Sequence, residues 1–169
     1  MLLDSSELKK IVARGEDSQH QFKEDIRNGD SLAAEMVAFS NSRGGAIFIG
    51  VSNKGALVGL SSKDVDRVNQ LISNSTSQHV RSSITVHTEN ISIESGWLVI
   101  VVTIPEGIDK PYFDHQGVIW LKSGADKRRI QFVDDRDNCL FTSLIQRVRV
   151  QELPNKGALK GRNAPKMPL

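Results

Sequence analysis

Apolar residues change their spacing at a double glycine early in the chain. Upstream of it Leu32, Met36 and Phe39, with the small Ser40, recur at i, i+4, i+7 and i+8, the stripe of a helix with one face against a core. Asn41, Ser42 and Arg43 bring polarity, and Gly44-Gly45 supply backbone that can take positive φ and stop the helix. Residues 46–51 are then almost unbroken apolar, as in a strand covered on both faces. The pattern predicts a one-sided helix passing through a glycine turn into a buried strand.

The remaining elements follow from the same rules. Ser5 or Ser6 caps a short helix carrying Leu8, Ile11 and Val12, which Gly15 ends. Residues 19–26 hold Phe22 and Ile26 among charges and read as an edge strand or an extended segment, after which Asp30 or Ser31 caps the helix described above. The turn Ser52-Asn53-Lys54-Gly55 predicts a hairpin returning over 56–59. Ser61 and Asp64 form a capping-box pattern before a helix with Val65, Val68 and Ile72 on one face, running to about Ser75. Ile84 and Val86 alternate with polar residues, but Ile91 and Ile93 are out of phase with them, which predicts a bulge near Asn90. Residues 97–104 are the most apolar run and the expected central strand. A loop over 105–111 leads to a last strand at 118–121 and a basic loop over 122–129. A final helix is expected from near Asp134, with Leu140, Phe141, Leu144, Ile145 and Val148 as its stripe. The class is therefore α+β, a mixed, mainly antiparallel sheet packed with about four helices. One domain over 1–152 and a basic flexible tail over 153–169 are expected.

Composition narrows the setting. A chain of 169 residues suits one domain, and the single cysteine, Cys139, excludes an internal disulfide framework and a C-x-x-C zinc site. No stretch approaches the roughly 18 apolar residues of a membrane helix, and the N-terminus does not read as a signal peptide. A cytoplasmic protein with no membrane partner is expected. The net charge of +2 conceals a division: from Lys122 onward there are eleven Lys/Arg against five Asp/Glu, a net of +6. Residues 1–121 carry a net of −4. A basic C-terminal part suits a polyanion.

Several residue sets offer chemistry. Glu16 and Glu24 are carboxylates close in sequence that could share a divalent ion such as Mg²⁺ or Mn²⁺. The four histidines, His20, His79, His87 and His115, fall in no triad or metal-ligand spacing and read as surface residues. The turn of Asn41, Gly44 and Gly45 is an anion site by geometry, but neither phosphate-binding glycine motif is present. Cations and aromatics gather around the strand at 118–121: Lys110 and Tyr112 before it, Trp120 within it, and Lys122, Lys127, Arg128 and Arg129 after it. Phosphates need cations and single-stranded bases need exposed rings.

The ordered set Glu16-Asp17-Ser18-x-x-Gln21-Phe22-Lys23, Ala38-Phe39-Ser40-Asn41-Ser42-x-Gly44-Gly45-x-x-x-Ile49-Gly50-Val51, Lys110-Pro111-Tyr112 and Ile119-Trp120-Leu121-Lys122-x-Gly124 resembles a Schlafen AlbA-like domain, over roughly residues 5–130. The resemblance implies a nucleic-acid-binding domain of the kind found in bacterial transcriptional regulators, a family also labelled ATP-binding. In animal Schlafens two such lobes form a basic groove for RNA, and some cut it with acidic residues. Glu16 matches the first acidic position, but the second falls on Gln21 and the acid after the Ile-Gly-Val strand on Ser52 or Asn53, while Lys23 matches the basic position. A three-carboxylate metal site is not retained, so nuclease activity and a bound cofactor are not expected. The implied partner is DNA or RNA, contacted by Lys23, Arg43, Lys110, Tyr112, Lys122, Lys127, Arg128 and Arg129. A homodimer through the apolar edge near Trp120 would give two lobes. Three other readings stay open: a metal-dependent nuclease using Glu16 and Glu24 with Mg²⁺ or Mn²⁺, ATP binding at the 41–45 turn, and a protein-interaction module.

Overall fold

The computed structural model describes residues 4–94 and 96–130. The helix expected from Asp134 and the tail over 153–169 lie outside the described residues. Within them, helix α1 (Ser5–Arg14) begins at Asp4, whose carboxylate accepts the Glu7 amide at 2.7 Å, so the cap is the aspartate and not Ser5 or Ser6. Gly15 ends α1 with φ 85°. Strand β1 (His20–Lys23) pairs in parallel with β2 (Gly45–Ile49), and the crossover between them is α2 (Gly29–Asn41). Helix α3 (Ser62–Gln78) starts from the predicted Ser61 cap, which accepts the Asp64 amide at 3.2 Å. Strands β3 (His87–Ser92) and β4 (Leu98–Ile104) complete a mixed sheet in the order β1-β2-β4-β3. Strand β4 pairs antiparallel with both its neighbours, which makes it the central strand its sequence predicts.

Alternation along β4 divides the core into two layers. Ile100, Val102 and Ile104 pack with Ile47, Ile49 and the apolar residues of α2 and α3. Val99 and Val101 face the other way, against Phe48, Phe22 and the α1 residues Leu8 and Val12. The same division explains the broken phase that suggested a bulge. Ile84 belongs to the α2–α3 layer, whereas Ile91 and Ile93 belong to the α1 layer. The β3–β4 register runs without interruption from His87 opposite Thr103 to Ser92 opposite Leu98, so no bulge is needed. The expected return strand over 56–59 reduces to one antiparallel bridge, Val51 with Leu57, beyond a turn closed by Gly55 N to Ser52 O at 2.9 Å.

Two further departures shape the site. Residues 122–129 are not a loop: β5 (Ile119–Ser123) turns back into β6 (Asp126–Ile130), a two-stranded hairpin with Lys122 directly opposite Lys127. The hairpin packs on α2. Helix α2 is consequently enclosed rather than one-sided: every residue from Leu32 to Asn41 is buried, Glu35 included. A helix between a sheet, a second helix and a hairpin has no solvent face over that length. No helix among the described residues is long and apolar enough to cross a membrane.

Candidate nucleic-acid interface

The turn after α2 is a structural joint. Asn41, 3% exposed, donates from Nδ2 to the carbonyls of Tyr112 and Trp120, both at 3.0 Å, and accepts the Tyr112 amide at 2.7 Å. Ser42 accepts the Lys122 amide on its hydroxyl at 3.0 Å and the Lys110 ammonium on its carbonyl at 2.7 Å. The Ser42 and Gly44 amides both donate to Phe39 O, and the Ala46 amide to Gln19 O. These donors face the protein, not a cradle for phosphate. The double glycine answers to close packing: a Cβ on Gly44, at φ +69°, would come 2.7 Å from Glu106 N and Ile104 O, and one on Gly45 would enter the Phe39 ring. Asn41, Gly44 and Gly45 therefore fasten α2 to β4, to the 105–113 loop and to β5.

Beside this joint lies a charge cluster that faces inward. The Lys122 side chain is 1% exposed; its ammonium donates to Gln21 Oε1 and Ala125 O, each at 2.7 Å, and lies 4.7 Å from the centre of the Phe39 ring. Glu35 Oε2 is 3.7 Å away. Burial pushes the Lys122 pKa below its usual value and Lys127 adds to that, while the Glu35 and Glu16 carboxylates pull it back. Lys127 Nζ donates to Glu35 Oε1 at 2.8 Å, and Lys110 Nζ reaches Glu106 Oε1 at 2.6 Å. Glu16 accepts Gln21 Nε2 and the Phe22 amide, both at 2.6 Å, so it positions β1 and the amide that holds Lys122. The Gln21 position thus carries a hydrogen-bonding relay from Glu16 to Lys122. Lys110, Lys122 and Lys127, expected at the surface, each have internal partners in the structure. Glu35 was missed, although its signal was present: it stands three residues after Leu32 and four before Phe39, on the stripe predicted to face the core.

Tyr112 is half-buried, packed against the α2–α3 core with its ring over Gly107. Trp120 likewise packs against that core and donates from Nε1 to Asp114 Oδ2 at 2.8 Å. Arg43, Arg128 and Arg129 are exposed and form no ion pair with any described residue. Arg43 follows Ser42 at the edge of β5, and the two adjacent arginines stand on β6 opposite Leu121 and Trp120. Lys23, half-buried at the end of β1, lines a cleft of about 190 Å³ with Arg27, Asn28, Ser31 and Glu35. Glu35 Oε2 is buried there without a hydrogen-bond partner.

Glu24 is exposed, Glu16 is engaged by β1, and the Ser52 hydroxyl accepts the Ala56 amide at 3.0 Å inside its turn. Among the described residues, the one set of three His, Cys, Asp or Glu donors close enough to share an ion is Asp30, His79 and His115. Two of the histidines read as isolated surface residues are therefore neighbours, brought together by the fold.

A mixed four-stranded sheet, layered by α1 on one face and by α2 and α3 on the other, with a hairpin folded over the crossover helix, defines an α+β lobe built around α2. The chain belongs to the Schlafen AlbA_2 family, which it matches over residues 16–131. The solution structure of the N-terminal domain of a RecG-related protein from Nitrosomonas europaea shares the fold: it matches over 80% of this chain and 94% of its own, with 22% identity and a TM-score of 0.52. The crystal structure of the DIP2311 protein from Corynebacterium diphtheriae matches over 74% of this chain with 19% identity and a TM-score of 0.49, and this chain spans 29% of that one. No sequence among the curated proteins matches.

Proposed function

We propose that this chain binds DNA or RNA through its phosphates, with Arg43, Arg128 and Arg129 as the principal contacts and Lys23 as a further one. The observation that carries the reading is the division among the cations: Lys110, Lys122 and Lys127 have internal partners, whereas Arg43, Arg128 and Arg129 are exposed without one among the described residues. An exposed arginine that forms no ion pair among the described residues presents a planar fork suited to phosphate oxygens. Membership of the Schlafen AlbA_2 family and a fold shared with part of a protein related to the DNA helicase RecG agree with a nucleic-acid role. A regulatory setting and pairing of two copies belong to the same proposal, since a second lobe would double the number of exposed arginines.

Titration of fluorescently labelled single-stranded and duplex oligonucleotides at two salt concentrations tests this. Three or four phosphate contacts on duplex imply a fall in affinity of roughly 40- to 150-fold between 50 and 200 mM salt. Absence of binding at low salt, or binding indifferent to salt, refutes the reading.

A further inference from the structure

Asp30, His79 and His115 come from separated stretches and meet at one point of the surface. Asp30 is in the first turn of α2, His79 is the C-cap of α3, and His115 lies in the loop before β5. The backbone fixes both histidines: the His79 amide donates to Ser75 O at 3.1 Å, and the His115 amide donates to His79 O at 2.9 Å beside the bridge between Val80 and Asp114. Their rings stand 5.3 Å apart at 84°. Gly29 lets α3 approach α2 here, since a Cβ on it would come 3.2 Å from both His79 Nε2 and Ser75 Oγ. Both Nδ1 atoms address the same carboxylate oxygen, Asp30 Oδ1, at 2.5 Å from His79 and 3.5 Å from His115. At 3.5 Å His115 is too far for a good hydrogen bond to that oxygen, whereas a metal ion between them engages both imidazoles.

We propose that Asp30, His79 and His115 bind a divalent first-row transition-metal ion. Two imidazole nitrogens and one carboxylate oxygen are the donors that Zn²⁺ and its neighbours prefer, whereas Mg²⁺ and Ca²⁺ take all-oxygen sets. Ligands at about 2.0–2.2 Å around a tetrahedral ion lie about 3.3 Å from one another. The three donors already lie within 4.8 Å of each other, and the His115 to Asp30 separation of 3.5 Å is close to that spacing. His79 moves outward by about 0.8 Å as the ion replaces the proton it shares with Asp30. The side chains of His79, His115 and Asp30 are 31%, 39% and 52% exposed, so water completes the shell. The ion ties the start of α2, the end of α3 and the loop before β5, and it uses none of the cations assigned to nucleic acid.

Calorimetric titration of the full chain with Zn²⁺, thermal unfolding with and without the ion, and visible absorption with Co²⁺ test the site. One equivalent should saturate it, the Tm should rise by about 5–10 °C at a hundredfold excess over Kd, and Co²⁺ should give d–d absorption. His79→Ala should abolish these signals. His115→Ala, in an exposed loop, should leave the metal-free Tm within about 2 °C of wild type and weaken Zn²⁺ binding about tenfold or more. Absence of saturable uptake, or uptake of equal affinity in the His115→Ala protein, overturns the proposal.

Discussion

Replacing Lys122 by methionine separates a lysine that builds the fold from one that meets a ligand. The substitution keeps a long apolar stem over Phe39 but removes an ammonium that is 1% exposed and donates to Gln21 Oε1 and Ala125 O. Each hydrogen bond from a charged group contributes about 1.5–3 kcal/mol, and against this stands the cost of taking the ammonium out of water. What decides the sign is the remainder: Gln21 Oε1 and Ala125 O are left unpaired, and Glu35 loses one of its two cations, keeping only Lys127. Breaking one side of a buried ion pair costs about 3–5 kcal/mol, which corresponds to a fall in Tm of roughly 6–20 °C for a chain of this length. Thermal and urea unfolding measure it. Glu35→Met combined with Lys122→Met should cost less than the sum of the two single changes, because each single change already removes their shared contact. The pH dependence has a definite sign. Burial lowers the Lys122 pKa, so the folded chain releases this proton before the unfolded chain does. Between the lowered value and the ordinary lysine range the unfolded state holds more protons, and the contribution of this residue to stability rises with pH. Lys122→Met should lose that rise. A Tm within about 2 °C of wild type would refute the inward assignment of Lys122.

Other changes probe the joint and the helix entry. Gly44→Ala and Gly45→Ala should each lower the urea midpoint, by about 1–3 kcal/mol in stability, since the added methyl meets backbone in one case and the Phe39 ring in the other. Asn41→Ala should cost about 3 kcal/mol by chemical denaturation, because two carbonyls and an amide lose their buried partner. At Asp25, burial raises the pKa, but hydrogen bonds from Arg27, Arg67 and the Ile26 amide outweigh it and hold the carboxyl below its usual value. Its contribution is present above the ordinary aspartate value near 3.8 and is lost as pH falls through the lowered one. Asp25→Asn should therefore flatten the acid limb of stability against pH below about 4, which acid titration of the Tm would show.

What the sequence disclosed follows from where apolar patterning was undiluted. Residues 46–51 and 97–104 have no polar alternation, and both became central strands buried on two faces. The phase shift between Ile84 and Ile91 was visible but misread, since periodicity cannot say that two halves of one segment serve opposite sides of a sheet. Strand β6 was hidden because Asp126-Lys127-Arg128-Arg129 has no apolar alternation. Its inner position is filled by Lys127 bonded to Glu35, a polar substitute for a hydrophobic contact. Once that hairpin is absent from the reading, α2 looks half-exposed and Lys122 looks free. The meeting of Asp30, His79 and His115 depends on how α2 and α3 pack, and no spacing in the chain records it.

The salt dependence of oligonucleotide binding, compared among wild type, Arg128→Ala with Arg129→Ala, and Lys122→Met, tests the division of cations most directly. On duplex DNA the double arginine variant should lose about two units of slope in log affinity against log salt, one for each phosphate contact, while its Tm stays near wild type. Lys122→Met, assayed well below its lowered Tm, should keep the wild-type slope. The reverse result, with an unchanged slope in the arginine variant and a shallower one in Lys122→Met, would contradict the account.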